Sequence, residues 1–150
     1  MATRAAASVA RRDASAVRLH ETQVELDVPF HHVDVLGIVW HGHYPKYFEA
    51  AGMALLRKLT LDGGDLIGER YRLVVIESAC RHGYPLRYAD RVRVTAWISD
   101  YARRLVIRYE IHNLTQGRRA AHGHTTLATL DTDGRLRLET PSEIAARIRG

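Results

Sequence analysis

His32-Val33-Asp34-Val35-Leu36-Gly37-Ile38-Val39-Trp40-His41 places one carboxylate inside an apolar run. Val33, Val35, Leu36, Ile38, Val39 and Trp40 surround Asp34, and the only basic side chains beside it are His31, His32 and His41. Such surroundings predict a buried, poorly solvated carboxylate, fit to serve as a base or nucleophile. A helix is expected to open a few residues later, near Tyr44-Pro45, offering unpaired N–H groups and a positive dipole end. A carboxylate facing such donors is what acyl transfer needs. The alternative reading makes Asp34 a helix cap or a solvated loop residue.

Beyond this run lies the one long helical pattern. Tyr44, Tyr47, Phe48, Ala51, Leu55 and Leu59 share a face, which Leu56 widens. Pro45 suits a first turn, and Gly63-Gly64 are expected to end the segment. Ala50, Ala51, Gly52 and Ala54 are small enough for a sheet to approach closely, so the helix reads as central.

The flanks read as strands. Before the run, Val24, Leu26 and Val28 alternate with polar residues until Pro29. After the helix come 73–80, 92–98 and 105–111, then a long strand from Arg119 to Leu130. Tyr84 to Asp90 interrupts the first two, and Asp133-Gly134 signals a hairpin. Pro141-Ser142-Glu143 begins a short terminal helix. A strand, a helix and four or five antiparallel strands define an α+β layer fold, the helix on one face of the sheet.

The chain has 150 residues, room for one domain with one core. Residues 1–18, rich in Ala, Arg and Ser, have a composition similar to a transit peptide, but are read as a flexible N-terminal tail before a domain at 19–150. No apolar run reaches membrane-spanning length, so no membrane role is expected. The single cysteine, Cys80, excludes an internal disulfide and suits a cytoplasmic setting. The net charge of +5 would attract polyanions, phosphorylated small molecules among them. The basic residues are dispersed and no nucleic-acid-binding motif is present, so no nucleic-acid partner is expected. His122 and His124 share a strand face, but no Cys or carboxylate completes a metal site there.

The element order and the run from Asp34 to Tyr44 resemble the hotdog-fold thioesterases, in particular the 4-hydroxybenzoyl-CoA thioesterase group and its YbgC-like relatives. The family pattern is an acid, two residues, glycine, two branched apolar residues, an aromatic, then His, Tyr or Asn, and a tyrosine three further on. Here it reads Asp34-Val35-Leu36-Gly37-Ile38-Val39-Trp40-His41-Gly42-His43-Tyr44. Tyr47-Phe48-Glu49-Ala50-Ala51 and Pro85-Leu86-Arg87-Tyr88-Ala89-Asp90 are similar to the family as well. The chain departs where many relatives carry a second acid, here His32, and a small residue, here Leu36.

The resemblance implies an antiparallel sheet wrapped around one central helix and hydrolysis of an acyl-CoA or acyl-carrier-protein thioester without a cofactor. Asp34 would attack the carbonyl or activate water, and the amide of His41 would hold the oxyanion, its side chain assisting. Gly37, Trp40 and Tyr44 would line the substrate site, although Tyr44 also reads as a core residue of the helix face. Arg103 and Arg104 are expected to hold the CoA phosphates at a strand turn; Arg87 and Lys46 have weaker claims. Glu49 is the rival carboxylate. A homodimer or homotetramer is expected, with the site between subunits. Two other readings stay open: a non-catalytic acyl-CoA-binding module, and a dehydratase in which His31 or His32 works with Glu49.

Overall fold

The computed structural model describes residues 17–63 and 66–150. All but the last two residues of the expected tail lie outside them. The elements are β1 (Leu19–Asp27), α1 (Tyr44–Lys58), β2 (Tyr71–His82), β3 (Arg91–Asp100), β4 (Leu105–Asn113), β5 (Arg118–Asp131) and α2 (Ser142–Arg149). Two short 3-10 turns, Phe30–His32 and His41–His43, punctuate the segment between β1 and α1.

The strands form one antiparallel sheet in the order β1-β3-β4-β5-β2. The inward residues of β3 and β4 (Val94, Ala96, Ile98, Ile107, Tyr109 and Ile111) are buried beneath α1. The buried residues of α1 are Tyr44, Tyr47, Phe48, Ala51, Gly52, Leu55 and Leu56, the three- and four-residue spacing the sequence predicts. Burying a side chain such as Leu55, which is 0 % exposed, contributes about 1.5–3 kcal/mol.

The helix stops at Lys58, short of Gly63. Leu61 N–H donates to the Leu56 carbonyl and Thr60 N–H to that of Arg57, with Thr60 at φ 56°. This double bond with a left-handed residue between is a Schellman end, and Leu61 folds back into the core beside Leu56. Threonine holds the position a glycine usually takes, so the glycine signal pointed too far along the chain.

α1 packs mainly over β1, β3 and β4 and meets β5 where Phe48 faces Gly123, leaving much of the inner face of β5 and β2 uncovered by helix. There a cavity of about 860 Å³ opens, running from Pro45, Phe48 and Glu49 along α1 to Leu61 and Leu66, with Leu73, Val75, Cys80 and Leu127 opposite. β2 is a sheet edge, and Val75 and Ile76 are 59 % and 50 % exposed.

Candidate active site

The segment around Asp34 folds into a tight hairpin. Asp34 N–H donates to the Ile38 carbonyl, Gly37 N–H to the Asp34 carbonyl, and Trp40 N–H to the His32 carbonyl, each at 3.0 Å. Val33 and Val39 bridge between them. Gly37 sits at φ 77°, a left-handed turn position that glycine adopts without strain. Asp34 is therefore the first residue of a turn rather than a helix cap. Its Oδ1 accepts the Leu36 N–H at 2.8 Å, and its Oδ2 has no partner among the described residues.

The expected apolar enclosure of Asp34 is not formed by the described residues of the chain. Val35 and Leu36 are 101 % and 76 % exposed, and Asp34 itself is half-buried. The alternation of the hairpin explains this: Val33 and Val39 turn toward the core while the residues at the tip project outward.

His41 opens the 3-10 turn that leads into α1. Its N–H precedes the first helical acceptor and is free to meet a ligand oxygen. Its ring is exposed, 5.2 Å from that of Trp40 and 6.5 Å from that of His82. His82, at the end of β2, went unremarked in the sequence. Burial and the neighbouring His41 hold its pKa below the usual 6.5.

Trp40 is half-exposed, edge-on to His43 at 5.5 Å. Tyr44 belongs to the core: it is 2 % exposed, its ring lies 4.4 Å from that of His82, and its oxygen meets the backbone of Leu86. His32, His43 and Tyr47 form a further cluster. The His32 and His43 rings stack at 4.2 Å, His31 meets His32 edge-on at 4.6 Å, and His32 Nδ1 lies 2.7 Å from the Tyr47 hydroxyl. Burial, His43, His31 and Lys46 all push the His32 pKa down.

Arg103 and Arg104 stand apart. The hairpin extends from the end of the sheet where Asp27 pairs with Arg91 and His82 with Ala121. The β3–β4 turn is at the opposite end, where Asp100 pairs with Val106. The two arginines thus lie at the opposite end of the sheet from Asp34. Arg104 Nη1 donates to the carbonyls of Arg103, Arg137 and Leu138 at 3.2, 2.9 and 3.2 Å, which straps the C-terminal segment down. Arg103 is exposed.

Glu49 lines the cavity at the first turns of α1, whereas Asp34, Gly37 and His41 do not. Among the described residues no hydrogen bond joins His31 or His32 to Glu49; His32 bonds Tyr47 instead. His124 Nε2 lies 3.0 Å from Glu77 Oε1, and no group of three metal-ligating side chains occurs among the described residues. Cys80 lines the cavity with its thiol pushed up to about 11 by burial. No described helix is long and apolar enough to cross a membrane.

An antiparallel sheet wrapped around one helix, with an acid-tipped hairpin leading into that helix, defines the chain as a hotdog-fold thioester hydrolase. It belongs to the thioesterase-like superfamily, whose family model matches residues 28–148. It is 28 % identical over 96 residues to YneP of Bacillus subtilis, provisionally named an acyl-CoA thioesterase, covering 63 % of this chain and 70 % of that one. Among solved structures it is similar to a DHNA-CoA thioesterase from Staphylococcus aureus, with TM-score 0.71, 26 % identity, and 79 % and 80 % of the two chains covered. A 1,4-dihydroxy-2-naphthoyl-CoA thioesterase from Synechocystis shares the fold at TM-score 0.75 and 18 % identity, covering 86 % and 96 %.

Proposed function

We propose that this chain hydrolyses acyl-CoA thioesters in the cytoplasm, with Asp34 as the base or nucleophile and the His41 N–H as the oxyanion donor. The observation that carries the reading is the free Oδ2 of Asp34, held at the hairpin tip by the Leu36 N–H on Oδ1. The thioester carbonyl and an attacking water would sit between Asp34 and the turn that opens α1. Asp34 takes a proton from that water, and the hydroxide adds to the carbonyl carbon. The oxyanion rests on the His41 N–H, a contact that removes a few kcal/mol of barrier. Collapse breaks the C–S bond, and the leaving thiolate takes the proton back from Asp34. A thiolate is a good leaving group, so no stronger acid is needed.

The acyl group enters the cavity that begins at Pro45, beside the turn carrying His41. The open edge of β2 supports a homodimer, in which a second protomer closes this cavity and supplies the apolar cover that Val35 and Leu36 lack. A homotetramer is a dimer of such dimers. The exposed Arg103 of one protomer is then available to the site of another, where a guanidinium suits a CoA phosphate. A second reading follows from the placement of Glu49 in the cavity wall, which makes it the base in place of Asp34.

The test is thiol release from short, long and aromatic acyl-CoAs and from an acyl-carrier protein. Release from CoA thioesters supports the reading, and the preferred chain ranks the substrates. Binding of acyl-CoA without release indicates a binding module, and release from the carrier protein alone overturns the CoA assignment.

A further inference from the structure

We infer that His32 is a positioning residue that fixes Asp34 relative to the start of α1. It rests on the reading of Asp34 as the reacting carboxylate, and it concerns how that carboxylate is held. The hairpin is tied at its base by backbone bonds, Val39 N–H to the Leu86 carbonyl and Trp40 N–H to the His32 carbonyl. Neither bond reaches α1. Among the described residues 30–40, His32 alone has a side chain hydrogen-bonded to α1, through Nδ1 and the Tyr47 hydroxyl at 2.7 Å. The same ring stacks on His43, the residue just before α1, with the planes only 13° apart. His32 thus joins, within two residues of Asp34, the arm that carries the acid to the turn that carries the oxyanion donor.

Neither contact is forced by covalent connectivity. Tyr47 lies fifteen residues further along the chain and is almost fully buried, so its hydroxyl is a fixed post. Burial and Tyr44 push its pKa up to about 12, which keeps it protonated. The charged or titratable groups facing His32 are His31 on its own turn, His43 before α1, and Lys46 and Tyr47 on α1. A neutral His32 makes both contacts; a charged one meets Lys46 and loses the stack to repulsion if His43 is charged too. An error of about 1 Å in the placement of a reacting group can cost about a hundredfold in rate, so this link acts on turnover more than on binding.

The test measures kcat and KM for His32→Ala, Tyr47→Phe, the double variant and His32→Asn, beside Asp34→Asn. Hydrogen exchange at the Leu36 amide gives a readout independent of activity. His32→Ala should lower kcat about ten- to hundredfold with KM within about twofold, and speed Leu36 exchange. Tyr47→Phe should lower kcat in the same direction, and the double variant should be no worse than His32→Ala alone. His32→Asn, whose amide can reach the Tyr47 hydroxyl, should recover part of the loss. Wild-type kcat and exchange in Tyr47→Phe and His32→Ala, with Asp34→Asn inactive, would overturn the inference and leave the Asp34 reading standing. Full activity in Asp34→Asn overturns both. If His32→Ala does not fold, Tyr47→Phe decides alone.

Discussion

The N–H of Val39 donates to the carbonyl of Leu86 at 2.8 Å, and through it the acid-bearing hairpin hangs on the loop before β3. That loop is organised by Asp90. Its Oδ2 accepts the Arg87 N–H at 2.9 Å and Asn113 Nδ2 at 2.8 Å, while its carbonyl accepts the Val28 N–H at 2.9 Å and Ala89 N–H donates to the Val28 carbonyl. The residues of the Pro85-to-Asp90 motif therefore act at a distance, as a bracket for the hairpin.

Asp90→Ala leaves the buried Asn113 amide and the half-buried Arg87 N–H without their acceptor. Stability should fall by about 1–3 kcal/mol, measured as a lower urea midpoint at unchanged slope. An unchanged midpoint would show that the bracket is not needed.

Gly123 on β5 faces Phe48 of α1, and a Cβ there would clash with the Ala79 carbonyl oxygen and stand 2.9 Å from the Phe48 ring. Phe48 is itself stacked on Tyr109 at 4.6 Å and cannot move aside freely. Gly123→Ala should destabilise by about 1–3 kcal/mol, read by thermal or urea unfolding.

Acid should weaken the fold in a defined window. Burial, His43, His31 and Lys46 hold His32 below the ordinary 6.5; burial, Lys46 and His31 hold His43 below it; burial and His41 do so for His82. A lowered histidine pKa means that the unfolded chain binds more protons just below pH 6.5. The contribution is therefore complete above 6.5 and is lost as pH falls from there through the folded-state values. Thermal midpoints between pH 8 and 5 should decline below 6.5, and His32→Asn should flatten that decline.

The β2 edge predicts self-association. Ile76 sits at a register shift opposite β5 and is half-exposed. Ile76→Lys puts a charge on the edge, and its light-scattering mass should drop toward that of one protomer. A wild-type chain that is already monomeric would rule out the shared-site arrangement.

The helix was legible because Tyr44, Tyr47, Phe48, Ala51 and Leu55 recur at a period that local geometry alone imposes. The helix end was not, because Thr60 adopts the conformation for which glycine is the usual signal. The link from His32 to Tyr47 and the approach of His82 to Tyr44 join residues 15 and 38 positions apart, and no local pattern encodes them. The carbonyls of Arg137 and Leu138 that Arg104 serves lie more than thirty residues away and are likewise invisible to a local pattern. The exposure of Val35 and Leu36 was hidden likewise: an apolar run names residues that seek cover without saying whether the same protomer provides it.

The central claim is that Asp34, rather than Glu49, does the chemistry. Steady-state thiol release by wild type, Asp34→Asn and Glu49→Gln on the best acyl-CoA separates the two. The account predicts that Asp34→Asn lowers kcat by about 10²–10⁴-fold with acyl-CoA still bound, while Glu49→Gln stays within about tenfold of wild type. The reverse order, an active Asp34→Asn beside an inactive Glu49→Gln, would contradict it.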